Sequence, residues 1–395
     1  MTIQDAALAI VRRLREHGHE ALWAGGCVRD KLLGIPPDDI DVATDAPPDR
    51  VVELFSHTRK VGMQFGVVLV RQGRHWIEVA TFRTDLSYKD GRRPEGVVFT
   101  DAREDAKRRD FTINGLFYDP IEDRVIDYVG GQADLGARII RAIGEPAERF
   151  AEDHLRMLRA VRFATRFGFA LDPATADAIR AQPDRIRRIS AERIRAELEK
   201  MLVRPSRAEA VEMMADLGLL PHLWTLPESP SDAADATPDP ASPAQVRAAT
   251  ARLRALPPDA DFITAMAAWL LDQTPQRVQQ IGRALRMSNA QIADLAWLVR
   301  NEPRIEQVDA LSLAEFKRLL AYPRWQDLLT LHRARCLAES RGTHTADAAE
   351  KRAAVIPPNE IAPAPLVTGE DLIARGLRPG PRFKVILDTL YDAQL

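Results

Sequence analysis

The spacing of apolar residues changes character once along the chain, and that change limits what it can fold into. Up to about Tyr128 the apolar residues fall in short runs: Ala21–Ala24, Ile40–Ala43, Val67–Arg71, His75–Arg83 and Val125–Tyr128. Each is continuous or alternating, and Gly- or Pro-rich turns separate many of them, which is the pattern of strands. From about Pro146 onward the spacing is almost wholly helical, over Phe150–Phe167, Pro173–Ala181, Ala191–Leu202 and Ser206–Leu217. Met1–His19 reads as one more helix, with Ala7, Ile10, Val11 and Leu14 on one face. The expected fold class is α+β, a strand-bearing N-terminal part followed by all-α segments.

A chain of 395 residues is long for one core, so two or more domains are expected. Pro227–Ala244 contains Pro, Ser, Asp, Ala and Thr without a large apolar side chain, and reads as a linker or long loop. No stretch approaches the length of an apolar spanning helix, and the N-terminus lacks the pattern of a signal peptide. Cys27 and Cys336 are too few for a disulfide framework or a cysteine zinc site. A cytoplasmic location is therefore expected. The net charge of −2 does not announce a nucleic-acid partner, but 16 Lys/Arg against 10 Asp/Glu between Ala137 and Arg207 gives a local excess of six positive charges. Phosphate contacts need only such a local surface. A solvated Arg-rich helical face is the plainer alternative.

The densest chemistry lies in Gly25–Asp41, GGCVRDKLLGIPPDDID. A strand running into Gly25-Gly26 and then a helix over Cys27–Leu33 lets backbone N–H groups approach a phosphate, with Arg29 in the first turns to add a charged contact. Asp39 and Asp41 stand two apart, which on a strand puts both carboxylates on one face. Such a pair repels itself unless a cation is shared, and Mg2+ resolves that cost. Two ions there suit in-line phosphoryl transfer. Glu78, on the alternating run His75–Arg83, is either a third acid facing this pair or an ordinary exposed strand residue. Lys107–Asn114, KRRDFTIN, is a basic cluster running into an apolar helix, suited to triphosphate or RNA phosphates. DYVGGQADL, from Asp127 to Leu135, is a strand end with a second glycine turn, and an architectural role suffices for it. In a helix over Glu152–Phe167, Asp153 and Arg156 are i,i+3 neighbours, and Arg159 and Arg162 continue a basic edge. A carboxylate beside a guanidinium can match the pairing edge of a base. It can equally be a surface ion pair.

Taken together, GGCVRDKLLG…DID, RRDFTIN, DYVGGQADL, EDHLRMLRAVRF and ISAERIRAELEKML resemble the class II tRNA nucleotidyltransferases, the CCA-adding enzymes, and their relatives the bacterial poly(A) polymerases. The motifs stand in that family's order over about Ala21–Leu202. The resemblance implies a palm-like nucleotidyltransferase head with a mixed β-sheet over 1–145 and a helical neck over 146–225. An all-α body and tail over 245–395 would follow, whereas the linker over 226–244, read from composition, departs from that family's pattern. It also implies that Asp39 and Asp41 bind the catalytic metals. Nucleotide contacts would fall on Gly26, Arg29, Arg109, Asp153, Arg156, Arg159 and Arg162, beside the Gly25 turn. Base selection between CTP and ATP would lie with Asp153 and Arg156, with no nucleic-acid template. The partner implied is the 3′ end and acceptor stem of tRNA. A-only addition and poly(A) synthesis share these motifs and stay open. A different class, an RNA-binding protein that kept the fold without activity, is disfavoured because both Asp39 and Asp41 are present.

Overall fold

A computed structural model describes residues 1–86, 96–224 and 239–395. The centre of the loop after Arg83 and most of the Pro/Ala/Asp-rich stretch 226–244 lie outside the described residues. The described chain divides into two compact units, Met1–Glu197 with Asp216–Leu223, and Leu198–Ala215 with Trp224–Leu395.

The first unit is built on a seven-stranded mixed sheet. Its strands are β1 (Ala21–Ala24), β2 (Asp41–Thr44), β3 (Thr58–Arg59), β4 (Val67–Gln72) and β5 (His75–Thr81), joined after the small hairpin β6 (Arg83–Asp85) and β7 (Val97–Phe99) by β8 (Leu116–Asp119) and β9 (Arg124–Asp127). The order across the sheet is β3-β4-β5-β2-β1-β8-β9, with β2 and β5 parallel and the other pairs antiparallel. The central strands are covered on both faces. Ala21 and Trp23 of β1 pack in a core with Ala7, Ile10, Val11 and Leu14 of helix α1 (Ile3–Glu16). Leu22 and Ala24 enter a second core with Phe82, Phe117 and Ala102. Thr2 closes the start of α1 in a capping box with Asp5, satisfying two backbone donors that a helix end leaves open.

Three expectations shift at this level. β2 begins at Asp41, so Asp39 precedes the strand rather than lying on it. The basic cluster does not start a helix. After α2 (Gly26–Leu32) and α3 (Pro48–Leu54), it closes α4 (Ala102–Lys107), and a single 3-10 turn at Thr112–Asn114 leads straight into β8. The long helix expected over Phe150–Phe167 is two: after α5 (Gly131–Ala137) come α6 (Pro146–Glu152) and α7 (Arg156–Phe167), broken at Asp153. There the backbone turns extended (φ −144°, ψ 103°), and the Asp153 carboxylate accepts the Leu155 N–H at 3.1 Å. This local bond competes with the helical ladder and ends it. Helices α8 (Pro173–Arg180) and α9 (Ala191–Leu202) follow.

The second unit is helical: α10 (Arg207–Asp216), α11 (Pro243–Ala255), α12 (Phe262–Trp269), α13 (Pro275–Ala284), α14 (Asn289–Ile305), α15 (Leu313–Leu320), α16 (Trp325–Ala338) and α17 (His344–Ala354), with three shorter or exposed helices after them. Its core includes Phe262, Met266, Trp269, Leu295, Leu298, Leu328 and Leu331, all buried. Among the described residues no helix is long and apolar enough to cross a membrane.

Candidate active site

A cavity of about 510 Å3 in the first unit gathers residues from four separated stretches of sequence: Gly25, Gly26 and Arg29; Asp39 and Asp41; Arg108, Arg109, Asp110 and Asn114; and Asp153, Arg156, Arg159, Arg162, Phe163 and Arg166. The chain can pass from β1 into α2 here only because residue 25 has no side chain. Its φ is +73°, and an added Cβ would stand 2.7 Å from the Arg109 guanidinium. Its N–H donates to the Leu116 carbonyl at 2.9 Å, so this amide is spent on the sheet and not on a phosphate. What the glycine provides is room for Arg109.

The acids sit at the rim. Asp39 is exposed and Asp41 partly buried. Burial, with the neighbouring charges of Glu78 and Asp39, pushes the Asp41 carboxyl up to about 7, against the pull of Arg109. Glu78 reaches Asp41 across the sheet: β2 and β5 are in register at Val42 and Val79, one residue beyond each acid. Glu78 itself is exposed and is not among the described residues lining the cavity.

Behind the cavity the arginines are held by acids. Asp105, on α4, accepts from Arg108 at 2.9 Å and from Arg109 at 3.0 and 3.2 Å. Burial alone would raise the Asp105 carboxyl, but Arg109 and Arg108 hold it below the usual range. Asp110 is buried and accepts from Arg159 at 2.7 Å, from the Asn114 amide at 3.0 Å and from the Phe111 N–H at 2.9 Å. Burial opposes its charge, yet Arg159, Asn114 and Arg156 bring its carboxyl down to about 2. Asn114 also accepts from Arg29 at 2.5 Å, so its amide links Arg29 of α2 to Asp110, which in turn holds Arg159 of α7. The Gly130–Gly131 turn holds this segment in place. Asp127 accepts the Val129, Gly131 and Gln132 N–H groups, and Asp134 accepts the Thr112 hydroxyl at 2.7 Å. A Cβ on Gly131 would fall 2.2 Å from the Thr112 carbonyl. The motif is an architectural clamp on the residues that carry Arg109 and Asp110.

Asp153 and Arg156 both line the cavity but do not pair with each other, as one helix would have required. Asp153 accepts from Arg193 of α9 at 2.7 Å. Arg156 donates to Glu152 at 2.6 Å and to the Arg149 and Arg108 carbonyls at 3.1 Å each. Neither the surface ion pair nor a coupled carboxylate–guanidinium pair is present. Two separately anchored groups share the space. Arg162 is buried and donates to Glu197 of α9 at 2.6 Å, so it is no part of a solvated basic edge. Arg29, Arg159 and Arg162 stand 5.2, 5.3 and 4.2 Å from the centre of the Phe163 ring. Seven arginines and four aspartates line the cavity, an excess of three positive charges. Each of the seven also has a carboxylate within 4 Å. Sequence reasoning named neither Phe163 nor Arg108, Asp110, Asn114 and Arg166 as site residues. The last four had a signal, the polar positions inside RRDFTIN and the i,i+4 step from Arg162.

Residues 21–141 match the poly A polymerase head domain family, and residues 168–229 match the family described as a probable RNA and SrmB-binding site of polymerase A. The chain is 48% identical over 224 residues to the CCA-adding enzyme of Geobacillus thermodenitrificans strain NG80-2, a match covering 56% of this chain and 55% of that one. The chain thus spans about half the length of the curated relatives it matches. In structure it is similar over its whole length to the Bacillus stearothermophilus CCA-adding enzyme in complex with CTP, covering 93% of that chain at 31% identity and a TM-score of 0.79. The Thermotoga maritima CCA-adding enzyme complexed with tRNA shares the fold, with a TM-score of 0.65 at 21% identity, covering 100% of this chain and 91% of that one.

Proposed function

The chain belongs to the family of CCA-adding enzymes and bacterial poly(A) polymerases, and on that footing we propose that it builds or repairs the 3′-terminal CCA of tRNA from CTP and ATP. The observation that carries the reading is the cavity itself. It sets the two rim acids Asp39 and Asp41 beside an arginine-rich wall sized for a nucleotide. Supporting it, a Bacillus stearothermophilus relative of the same architecture has been solved with CTP.

The acids fit a divalent cation. Asp41 is a carboxyl whose charge is opposed by burial and by two other acids, and a cation would relieve that opposition. Asp39 and Asp41 would hold Mg2+, whose chemistry there is to make the attacking 3′-hydroxyl more acidic and to offset charge on the pyrophosphate leaving group. The chain's own residues do the rest. Arg109 and Arg29, set by Asp105, Asp30 and Asn114, provide fixed donors for the triphosphate. Phe163 and the arginines around it form a flat wall for the base, and Asp153 and Arg156 offer an acceptor and donors to its pairing edge. Since both are anchored by protein partners, selection between C or A and U or G needs no template. The local positive excess between Ala137 and Arg207 supports contact with the acceptor stem. A cytoplasmic location goes with that substrate.

The test gives the purified chain tRNA transcripts ending before CCA, after C and after CC, with each NTP supplied singly. Two C additions followed by one A is the expected result. Incorporation of A only on the CC end assigns A-only addition, and unlimited A tails assign poly(A) synthesis. Tight tRNA binding with no incorporation at all returns the chain to an inactive binding protein.

A further inference from the structure

The second unit contains a group of side chains with no part in the reading above. His332 and Cys336 lie four apart on α16 and so share one face, while Glu302 and Glu306 stand four apart on α14 and just past its end. His332 and Cys336 are buried, and Glu306 is exposed. The His332 Nε2 lies 3.5 Å from the Cys336 Sγ and 3.9 Å from the Glu306 Oε2, and the three ligand atoms all fall within 4.8 Å of one another. A tetrahedral zinc ion with bonds of about 2.0–2.3 Å holds its ligands roughly 3.3–3.8 Å apart. The two distances from His332 are near that spacing before any ion enters, and the thiol and the carboxylate of Glu306 lie within 4.8 Å of each other.

We propose that His332, Cys336 and Glu306 bind one ion of the zinc class, tying the end of α14 to α16.

Two further contacts point the same way. His332 Nδ1 lies 2.8 Å from the fully buried Glu302 carboxylate, whose other oxygen takes an Arg335 N–H at 2.6 Å. A carboxylate behind a histidine is the usual arrangement at a zinc ligand, because it fixes the proton on one ring nitrogen and presents the lone pair of the other. That other nitrogen, Nε2, faces the thiol and the Thr345 hydroxyl, 2.8 Å away, which yields its bond on loading. Glu306 divides its oxygens, one on Arg341 at 2.8 Å and the other toward His332. The free oxygen is the ligand, and the exposed side of Glu306 is the way in. A thiolate, an imidazole and a carboxylate suit zinc over magnesium or calcium, and water completes the fourth position. With the thiol proton released to solvent, a thiolate and a carboxylate neutralise the ion's charge. Two cysteines in the chain do not hint at this site, because Glu306 stands 30 positions before Cys336 and the pattern is visible only once the helices pack.

The inference is independent of the catalytic reading, and its test uses no activity. The full chain carrying Asp39→Ala and Asp41→Ala, which removes the rim acids as competing ligands, is stripped with a chelator. It is then loaded with Zn2+ in excess Mg2+, desalted and assayed for metal. One zinc per chain is expected, along with a higher melting temperature that chelator reverses. Cys336→Ser and Glu306→Gln, in the same background, should each hold at least tenfold less zinc with an unchanged far-ultraviolet circular dichroism spectrum. Glu306 is exposed, so its variant keeps the test open if the cysteine variant misfolds. Co2+ in place of zinc should give a thiolate charge-transfer band that Cys336→Ser lacks. Equal zinc content in the parent and Glu306→Gln, or a cobalt complex without the thiolate band, overturns the proposal.

Discussion

Replacing Asp41 by Asn should make the metal-free protein more stable, and the gain should depend on pH in one direction only. The carboxyl is pushed from an ordinary 3.8 to about 7 by burial and by the charges of Glu78 and Asp39. At about 1.4 kcal/mol per pKa unit, the full displacement corresponds to roughly 4 kcal/mol held against the folded state. Asp41 keeps some contact with water, which screens part of that, so about 1–3 kcal/mol is expected. A raised carboxyl costs stability only where the unfolded chain would ionise it. Below pH 4 both states are protonated and the penalty is absent. It grows between pH 4 and 7 and is complete above 7. Asparagine has the same shape and no charge, so the melting temperature of Asp41→Asn minus that of the parent should rise over this window. At roughly 2–4 °C per kcal/mol, the plateau should be several degrees. Thermal melts in chelator from pH 4 to pH 8.5 read it directly. Adding Mg2+ at pH 8 should stabilise the parent and leave the variant where it was. An asparagine variant less stable than the parent at pH 8 in chelator would refute the reasoning, as would a difference that does not change with pH.

Other expectations follow from the same cavity. Asp39→Ala or Asp41→Ala should remove nucleotide incorporation, by at least a thousandfold in single-turnover assays, while tRNA affinity in a filter-binding assay stays within a few fold. Asp153→Ala should let UTP or GTP compete, shifting the kcat/KM ratio against CTP by roughly tenfold to a hundredfold, since an unpaired buried polar group costs about 1–3 kcal/mol. Arg193→Met frees the same carboxylate from its anchor and should blur the choice in the same direction. Unchanged ratios in both variants, measured on a tRNA ending in CC, would make Asp153 a helix-end cap and nothing more. Gly25→Ala forces a side chain into a φ of +73° and against Arg109 at 2.7 Å. It should weaken NTP binding and lower stability by about 1–3 kcal/mol in urea melts.

Much of the head was legible because its strands announce themselves locally. Ala21–Ala24 is bounded by a glycine turn and is a strand over those same residues. His75–Thr81 alternates as a strand with one wetter face must. Leu116–Asp119 was not legible. It lies beside β1 with all four residues buried, so it shows no alternation, and the apolar residues before it extend the pattern into an apparent helix. The site was legible as a set of residues but not as a set of partners. The apolar spacing of Phe150–Phe167 continues through a helix break, since hydrophobic period reports burial and not hydrogen bonding. The bond from the Leu155 N–H to Asp153 that ends α6 leaves no trace in it. Arg193, 40 positions from Asp153, takes the place beside its carboxylate that spacing had given to Arg156.

The acids standing behind the cavity arginines bear on how such a site can change over generations. An arginine tethered in advance loses little side-chain freedom when a nucleotide arrives, where a free one would give up roughly 2 kcal/mol. The same tether makes substitution costly in a particular way. Losing Arg159 or Arg162 takes from the buried Asp110 or Glu197 the guanidinium that donates to it, and breaking such a buried pair costs about 3–5 kcal/mol. Drift at either position should therefore proceed by exchange of both members of a pair, through intermediates that fold poorly. The arginine wall is thus protected by stability itself, and an attempt to remodel it should begin with Glu197 and Asp110, which stand behind the guanidinium groups.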